Sequence, residues 1–285
     1  MVSHVLTLTA EDRVGLVAAV TGFLAEHDGF ILDSQQYADL EANRFFMRVE
    51  FKAAGSKFPS DTKQLKSTFS DVANAYDLDW RLGRSDVHPK IVIAVSKASH
   101  CLNDLLHRWK TGALPVDIAA VVSNHESCRA LTEWHDVPFR HLPVTDDNRE
   151  AQEQQILAIM ADADARTLVL ARYMQVLSNG FVERLAGRCI NIHHSFLPGF
   201  KGARPYHRAY ERGVKLIGAT AHFVTADLDE GPIIEQAVDR VDHRASVDDM
   251  IRIGRDIEAQ VLARAVKWIG ERRVLVNASR TVVFR

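Results

Sequence analysis

The chain has 285 residues, of which 47% are hydrophobic and 25% are charged, and its formal net charge is -2. This length favours two compact domains, and the composition is typical of a soluble globular protein. The near-neutral charge argues against a nucleic-acid partner, and no apolar run reaches the roughly 18 to 20 residues that cross a bilayer, so no membrane partner is expected either.

Residues 1–83 predict the order strand, helix, strand, strand, helix, strand. The predicted strands are HVLTLTA, FILDSQQYADL, RFFMRVEF and DLDWRLG, and the predicted helices are DRVGLVAAVTGFLAEHDG and residues 60–76. Ser60 follows Pro59 and is expected to cap the second helix. A βαββαβ order forms a small antiparallel sheet with both helices on one face.

The segment DRVGLVAAVTGFLAEHDGFI resembles the start of ACT domains, whose signature is an acidic-Arg-x-Gly-Leu turn into the first helix. The resemblance implies a ferredoxin-like regulatory or dimerisation domain over residues 1–83, with an amino-acid effector site around Asp12 and Gly15. ACT domains usually pair side by side, which implies a homodimer or homotetramer. Many amino-acid-binding members carry Asn before the second strand, where this chain has Phe30 after Gly29. A domain that pairs without binding an effector therefore stays open.

Residues 84–89 predict a short polar linker that ends at Pro89, and the pattern changes after it. Over residues 90–285, continuous apolar runs alternate with helix-like segments. The apolar runs are IVIAVS, DIAAVVS, TLVLAR and RCINIHH, and the helices between the first of them are HCLNDLLHRWKTG and HESCRALTEWHD. This pattern indicates an α/β domain with a mostly parallel sheet covered on both faces. Ligands of such sheets bind at the carboxyl ends of the strands.

The stretch NIHHSFLP ends one of these apolar runs with several hydrogen-bonding side chains. In a strand, Asn191 and His193 lie on one face, because side chains alternate, while Ile190 and Ile192 face the other way. The polar pair therefore reaches the end of a buried strand together. For His193 taken alone, a structural histidine with satisfied hydrogen bonds remains an alternative.

A second polar segment is TADLDEGP, which predicts a tight loop between the strands GATAHFV and PIIEQAV. Its acids Asp227, Asp229 and Glu230 are ordinary solvated loop residues on one interpretation. On the other interpretation, the Gly231-Pro232 turn holds the Asp229 carboxylate near His193 in a fixed geometry.

Together these segments resemble the folate-dependent formyltransferase family. The shared pattern is Asn-x-His, then Ser-x-Leu-Pro, then a strand bearing His, then Leu-Asp-x-Gly-Pro. The resemblance implies a Rossmann-like formyltransferase domain over residues 90–285. It also implies that Asn191, His193 and Asp229 surround the formyl carbon of 10-formyltetrahydrofolate, and that His222 supports the aspartate or its water.

Three departures from the transferases select a branch of that family. The loop after the first strand, VSKASHCLND, has no glycine, so backbone amides cannot cradle a substrate phosphate closely. His194 stands where the transferases usually carry proline. The segments HHSFLP, GARPYH and IGATAH, together with the ACT-like N-terminal domain, resemble those of the 10-formyltetrahydrofolate deformylases. The implied activity is hydrolysis to tetrahydrofolate and formate, which supplies formate and balances the one-carbon folate pool for purine biosynthesis.

In the implied reaction, water attacks the formyl carbon, and Asp229 deprotonates the water and passes the proton to N10. A carboxylate does this best if burial raises its pKa towards neutrality. The amide of Asn191 and a ring N–H of His193, either protonated or neutral, would stabilise the developing oxyanion. No cofactor is expected, since 10-formyltetrahydrofolate is the substrate.

The folate pocket is assigned by resemblance. Met174, Val176 and Leu177 of LARYMQVL line the pterin slot, and HLPVTDDN (141–148) forms the neighbouring loop; from periodicity alone, LARYMQVL is ordinary core. The other residues assigned to this region are Arg204 and Tyr206, which close the pocket, and Lys97 and His100, which occupy the space that an acceptor takes in the transferases.

Three other functions remain open. A metal hydrolase would use His193, His194, His222 and Asp229, but adjacent strand residues point to opposite faces, so His193 and His194 are not expected to share an ion. There is no HExxH motif and no CxxC pair. The other two are a formyltransferase acting on an amine and a non-catalytic amino-acid sensor that binds folate.

The cysteines and the N-terminus predict the compartment. Cys101, Cys128 and Cys189 are far apart in the sequence and odd in number, which is typical of reduced thiols rather than a disulfide framework. The N-terminus MVSHVLTLTAEDRVG lacks the pattern of a secretory signal. A cytoplasmic location is therefore expected.

Overall fold

The computed structural model describes residues 2–145, 147–198 and 205–285. The chain divides into two compact units. The first comprises Met1–His88, Glu271–Leu275 and Val282–Arg285, and the second comprises Pro89–Gly270 and Val276–Thr281. The C-terminal residues are thus shared between the two units.

The first unit has the predicted βαββαβ order. Its elements are β1 (His4–Glu11), α1 (Leu16–Glu26), β2 (Gly29–Asp39), β3 (Arg44–Ala53), α2 (Thr62–Ala75) and β4 (Asp79–Arg84). The strands form an antiparallel sheet in the order β2-β3-β1-β4. The ferredoxin-like fold predicted for this part of the chain is confirmed.

Alternation along the strands builds the core of the first unit. Side chains two positions apart on β1 and β3 share a face and pack with the helices. The strand residues in this core include Leu6, Leu8, Met47, Val49 and Phe51, and the helices contribute Leu16, Val20, Phe23, Leu24, Leu65 and Phe69. Both helices therefore cover the same face of the sheet.

The other face of this sheet carries a buried guanidinium. Arg48 is 2% exposed, and its nitrogens lie 3.1 Å from Asp33 and 3.2 Å from Glu50. Arg48 Nε also donates to the carbonyl oxygen of Glu271 at 3.3 Å. Because a buried charge is costly without partners, the C-terminal segment helps to complete this face.

The start of α2 differs from the prediction. The helix begins at Thr62, and its cap is Asp61, whose side chain accepts from the backbone N–H of Gln64 at 2.8 Å. Ser60 instead bonds the side chain of Gln64. The prediction of Ser60 as the cap is wrong because the helix starts one residue later, where an aspartate fills the same role.

The second unit is an α/β domain. Its strands are β5 (Lys90–Val95), β6 (Asp117–Ser123), β7 (Phe139–His141), β8 (Thr167–Leu170), β9 (Cys189–His193), β10 (Leu216–Phe223) and β11 (Ile233–Arg240). Its helices are α3 (His100–Lys110), α4 (Arg129–Trp134), α5 (Arg149–Asp162), α6 (Asn179–Arg184), α7 (Pro205–Glu211) and α8 (Val247–Gly270). A hairpin of β12 (Val274–Asn277) and β13 (Arg280–Val283) follows. Within the described ranges, no helix combines the length and apolar character needed to cross a membrane.

The main sheet is mostly parallel, as predicted. Its strand order is β11-β10-β9-β8-β5-β6-β7. The strands from β9 to β7 in this order run parallel, whereas β10 is antiparallel to β9 and β11 is antiparallel to β10. Residues 91–95 of β5 are each at most 1% exposed, which explains their continuous apolar sequence. The three cysteines are free and buried.

Candidate active site

Two antiparallel strands place three of the predicted catalytic side chains on one face of the main sheet. Asn191 and His193 are two residues apart on β9, so their side chains point the same way. On β10, His222 lies directly opposite Asn191, and Thr220 lies directly opposite His193. Residues directly opposite each other share a face. Strand geometry alone thus brings His222 to the pair.

The loop from β10 to β11 carries the carboxylate to the same face. Asp229 Oδ2 lies 3.2 Å from His193 Nδ1, and Asp229 Oδ1 lies 3.7 Å from His222 Nε2. Because β10 is antiparallel to β9, its last residue Phe223 pairs with Ile190, towards the amino end of β9. The loop therefore starts away from His193 and turns back to reach it.

The backbone of this loop leaves little freedom to Asp229. Its φ of 58° is left-handed, a region that Asp tolerates better than most residues. A Cβ atom at Gly231 would lie 1.8 Å from the carbonyl oxygen of Phe223, so only glycine fits there. The Phe223 N–H donates to the carbonyl oxygen of Pro232 at 2.9 Å. The Gly231-Pro232 turn thus closes the loop tightly onto the strand.

The charge of Asp229 is set by the two imidazoles. The side chain is 11% exposed. Burial raises the pKa of its carboxyl group, but hydrogen bonds from His193 and His222, with the attraction of their rings, hold that pKa below the usual range. Asp229 is therefore a carboxylate at neutral pH, and the net shift is opposite to the one that burial alone would cause.

His222 connects the other two polar groups. It is 2% exposed, and its Nδ1 lies 2.9 Å from the carbonyl oxygen of Phe223, which can only accept a hydrogen bond. The hydrogen is therefore on Nδ1, and Nε2 faces the site. Nε2 lies 3.4 Å from Asn191 Nδ2 and so accepts from this amide when the ring is neutral. In its protonated form the same atom faces Asp229 Oδ1, 3.7 Å away, as an ion pair.

His193 presents one unsatisfied nitrogen. It is 4% exposed, and its Nδ1 donates towards Asp229. Its Nε2 is buried and has no hydrogen-bond partner among the described residues. Buried polar atoms are rarely unpaired in folded proteins. This nitrogen therefore marks the place where an atom of a substrate would complete the site.

The segment after His193 is held by two polar side chains. Thr220 Oγ1 donates to the carbonyl oxygen of Ser195 at 2.9 Å and accepts from the N–H of Leu197 at 3.1 Å. Gln236 Nε2 donates to the carbonyl oxygen of Leu197 at 2.8 Å and to Thr220 Oγ1 at 3.0 Å. These bonds fix the chain where it leaves the strand.

His194 does not follow the alternation predicted for it. Its ring stacks on that of His193, with the ring centroids 4.9 Å apart and the planes at 25°. The prediction that adjacent positions point these rings to opposite faces is wrong, because β9 ends at His193 and alternation stops there. His194 therefore belongs to the site.

The four residues of the alternative metal site are not among the compact groups of three or more possible ligands in the described residues. Among the described residues, the group of three His, Cys, Asp or Glu residues whose ligand atoms all lie within 4.8 Å of one another is His100, Cys101 and Glu258. Arg172 Nε lies 3.3 Å from Glu258 Oε2, so a positive charge already occupies that position. A cation there would be repelled by the guanidinium.

The loop after β8 holds the predicted pterin-slot residues. Met174 and Val176 are 58% and 60% exposed, whereas Leu177 is partly buried against the core. Exposed apolar side chains on a loop are suited to contact a flat aromatic ligand. The loop is anchored by Met174 N–H to Ser96 Oγ at 3.0 Å and by Ser178 N–H to Glu153 Oε1 at 2.8 Å.

Two further exposed apolar residues lie on the site loops and were missed from the sequence. Phe196, in the segment after β9, is 48% exposed, and Leu228, beside Asp229, is 65% exposed. A sequence signal existed for both, because each is a large apolar residue in a polar loop next to a predicted catalytic residue. Exposed apolar side chains therefore occur on three loops that follow strands of the main sheet.

The residues predicted to close the pocket have different positions. Arg204 lies outside the described residues. Tyr206 is 9% exposed, and its hydroxyl donates to Glu258 Oε1 at 2.7 Å, so it points into the protein. His100 Nε2 lies 2.8 Å from Glu258 Oε2, whereas Lys97 is exposed. Glu258, which is 1% exposed, was missed because nothing in its local sequence distinguishes it from a surface glutamate.

The neighbouring loop at residues 141–148 forms a local turn. Asn148 Oδ1 accepts from the N–H of Thr145 at 2.7 Å, and Asn148 Nδ2 donates to the carbonyl oxygen of Pro143 at 3.0 Å. Asp146 lies outside the described residues. The turn is a self-contained feature of the loop, and its predicted contact with folate stays a prediction.

In the first unit, the predicted effector residues occupy the turn between β1 and α1. Gly15 has a φ of 100° and precedes the first residue of the helix. The Asp12 N–H donates to the carbonyl oxygen of Asn43 at 3.1 Å. The Arg13 guanidinium lies 5.1 Å from the centre of the Tyr76 ring. The turn is therefore well defined, with the helix N-terminus beside it.

A surface cleft of about 670 Å³ lies away from these residues. Its lining includes Lys215, which precedes β10, and Arg240, which ends β11. The loop that carries Asp229 joins the opposite ends of these two strands. The cleft is open to solvent, and charges in its lining pair locally, as Arg244 does with Asp242. The convergence of buried polar groups is a better guide to the chemistry than the size of this cleft.

The fold and the site together define the class of protein. A carboxylate, two imidazoles and an amide meet on a mostly parallel sheet, an arrangement suited to acyl transfer or hydrolysis. Residues 89–266 match the family model described as formyl transferase, and residues 4–82 match the model described as ACT domain. The two predicted resemblances are thus confirmed.

Similarity over the whole chain makes the family specific. The formyltetrahydrofolate deformylase of Corynebacterium sp. (strain P-1) is 48% identical over 284 residues, which are 100% of this chain and 99% of that protein. The crystal structure of a formyltetrahydrofolate deformylase from Pseudomonas syringae has a TM-score of 0.96 at 46% identity and covers 100% of this chain and 95% of its own. The Burkholderia mallei structure of the same name has a TM-score of 0.95 at 49% identity and covers 99% of each chain. The chain belongs to the formyltetrahydrofolate deformylase family.

Proposed function

We propose that this chain hydrolyses 10-formyltetrahydrofolate to tetrahydrofolate and formate. The observation that carries the proposal is the Asp229 carboxylate held between His193 and His222, on the face that also bears Asn191. The full-length relatives named formyltetrahydrofolate deformylase support the same substrate. The four residues are the proposed catalytic group.

Water is the proposed nucleophile. Its oxygen bonds to the formyl carbon, the carbonyl electron pair moves to the formyl oxygen, and the Asp229 carboxylate accepts the proton. The bond from carbon to N10 then breaks, and the proton passes from Asp229 to N10. The products are tetrahydrofolate, formate and one proton. Because water is the only co-reactant, the reaction as proposed requires no cofactor.

Asn191 and His193 are the proposed donors to the oxyanion. The Asn191 amide has a second N–H besides the one near His222, and His193 Nε2 is the unpaired buried atom of the site. With Nδ1–H donated to Asp229, Nε2 donates to the formyl oxygen when the ring is protonated. One such donor is typically worth roughly a hundred- to a thousandfold in rate.

The folate ring is proposed to lie on the apolar loops. Met174, Val176 and Leu177 would line the pterin slot, and Phe196 and Leu228 would extend it. Exposed apolar side chains on an anchored loop support this placement, because ordering them in advance lowers the cost of binding. Arg204 remains a predicted contact of the substrate.

The first domain is the proposed regulatory and dimerisation module. We assign residues 1–83 to it, residues 84–89 to a linker and residues 90–285 to catalysis. Phe30 and Leu32 are 55% and 47% exposed on β2, an edge strand, which supports pairing into a dimer or tetramer. Velocity sedimentation of a Leu32→Lys variant tests this, and an unchanged sedimentation coefficient would reject pairing through β2.

An amino acid is the proposed effector, bound near Asp12 and Gly15 at the N-terminus of α1. Amino acids tied to one-carbon supply, such as glycine or methionine, are the first to titrate while activity is followed. A flat response to each would reject them as effectors. We place the enzyme in the cytoplasm, where it would supply formate and balance the folate pool for purine biosynthesis.

The proposed function is tested by incubating the purified chain with 10-formyltetrahydrofolate alone. Free formate and tetrahydrofolate should appear in equal amounts and at equal rates. Formyl transfer without formate release, seen only after a primary amine is added, would instead indicate the amine formyltransferase. Folate binding without either product would indicate a sensor.

A further inference from the structure

His194 has one ring nitrogen that is bonded and one that is not. Its Nδ1 lies 2.7 Å from Arg172 Nη1. A guanidinium only donates, so Nδ1 accepts and the hydrogen of the neutral ring is on Nε2. Burial, together with the charges of Arg172 and His193, lowers the pKa of His194 to about 4, so the ring is neutral near pH 7.

The Nε2–H of His194 is a buried donor that lacks an acceptor among the described residues. It belongs to a ring stacked on His193, whose own Nε2 is equally buried and unpaired. Two neighbouring imidazoles thus each keep one polar atom without a partner. Such atoms are rare inside proteins, and a pair of them beside a carboxylate indicates a ligand with two polar atoms.

Residues from two other parts of the second unit hold this geometry. Arg172 follows β8 in a left-handed conformation, with a φ of 63°, and its Nε lies 3.3 Å from the buried carboxylate of Glu258 on α8. Glu258 is also bonded by His100 and Tyr206. A strained backbone and a buried charge are both costly, and they persist here at the point that orients His194.

The chemistry of hydrolysis supplies the ligand with two polar atoms. When water attacks a formyl group, the tetrahedral intermediate carries two oxygens, one from the carbonyl group and one from water. When an amine attacks, the intermediate carries only the carbonyl oxygen. Asn191 and His193 are the proposed donors to the carbonyl oxygen, so hydrolysis leaves a second oxygen that also needs a donor.

We propose that His194 donates its Nε2–H to the oxygen that enters from water and to the same oxygen in formate, and so favours water over an amine as nucleophile. Arg172 and Glu258 are positioning residues that keep the hydrogen of His194 on Nε2. This inference rests on the proposed hydrolysis of 10-formyltetrahydrofolate.

The first test is the His194→Phe variant, which keeps a ring for stacking and removes the donor. We expect kcat to fall roughly 100- to 1000-fold, as for loss of one hydrogen-bond donor to the reacting atoms, with little change in KM. The inhibition constant of formate should rise about as much as kcat falls. His107→Phe, at an exposed histidine of α3, is the matched control and should leave both values unchanged.

The second test distinguishes hydrogen bonding from packing. His194→Gln retains an N–H donor and should recover part of both kcat and formate inhibition relative to His194→Phe. Arg172→Met should lower kcat as well, and the double variant of Arg172→Met with His194→Phe should be no slower than the slower single variant, because both act through one donor. Melting temperatures of all variants report any loss of folding.

The outcomes separate this inference from the proposed function. If the wild-type protein releases no formate, the proposed function is wrong. If it does, but folded His194→Phe keeps kcat and the formate inhibition constant within twofold of wild type, His194 is not a donor. A loss of kcat with unchanged formate inhibition would also overturn the inference, as would a lack of recovery in a folded His194→Gln variant. With added methylamine as acceptor, the ratio of N-methylformamide to formate should be higher for His194→Phe than for wild type.

Discussion

Replacing Asp229 by Asn removes the proposed proton acceptor with little change in shape. Asn tolerates the left-handed backbone at this position, where φ is 58°, as readily as Asp does. An Asn side chain can still accept one hydrogen bond from His193, so the loop should keep its conformation. The variant therefore changes the charge and basicity of the site rather than its fold.

The expected magnitude follows from the contacts of the carboxylate. General-base catalysis is worth about 10²- to 10⁴-fold, and the carboxylate also orients His193, whose Nδ1 lies 3.2 Å away. We expect kcat to fall about 10³- to 10⁴-fold, equivalent to about 4 to 5 kcal/mol of activation free energy. The affinity for tetrahydrofolate should change little, because the apolar loops are the proposed source of most of that contact.

The assay combines turnover with binding. Formate release by Asp229→Asn is compared with that of Asp227→Asn, whose side chain is exposed in the same loop and which should behave as wild type. Tetrahydrofolate affinity is measured for both variants by calorimetry. A variant at Asp229 that keeps more than a tenth of wild-type turnover would refute the assignment of Asp229 as the base. A large loss of affinity would instead show a role in binding.

Three further predictions concern the structure around the site. Gly231→Ala should lower kcat at least tenfold and destabilise the protein by roughly 1 to 3 kcal/mol, because its methyl group would lie 1.8 Å from the carbonyl oxygen of Phe223, the last residue of β10. Chemical denaturation measures the loss of stability. Gly254→Ala would place a methyl group 2.0 Å from the Tyr206 hydroxyl and should lower the melting temperature, whereas Gly180→Ala, with open space around it, should not. The pKa of His194, about 4 in the folded chain and 6.5 in the reference state, means that the unfolded chain binds a proton between these pH values that the folded chain does not. The free energy of unfolding should therefore fall as the pH drops from 6.5 to 4, by up to about 3 kcal/mol, and urea titrations should show a smaller fall for His194→Phe.

Much of the fold follows from patterns that are local in the sequence. Alternating apolar residues such as Leu6 and Leu8 predict which face of a strand is buried. The continuous apolar run at residues 91–95 predicts a strand of a parallel sheet, and these residues are buried in the structure. The spacing of Asn191 and His193 likewise determines that their side chains share a face. Each of these properties depends only on residues a few positions apart.

The partners of the site residues depend on the tertiary structure. Glu258 lies on α8, far along the chain from Arg172 and His100, and only the packing of that helix brings their side chains within hydrogen-bonding distance. The hydroxyl of Tyr206 points into the protein for the same reason. Local sequence patterns do not indicate which residues far apart in the chain are close in space, so these contacts could not be predicted.

The sequence by itself determined the two-domain order, because periodicity marks the helices and strands. The family and the proposed catalytic residues followed from the resemblance of its motifs to those of known families. The tertiary structure alone decided that the ring of His194 stacks on His193 and that the pKa of Asp229 is lowered rather than raised. Both depend on the distances between groups and on their burial. Those quantities arise only when the strands and loops pack together.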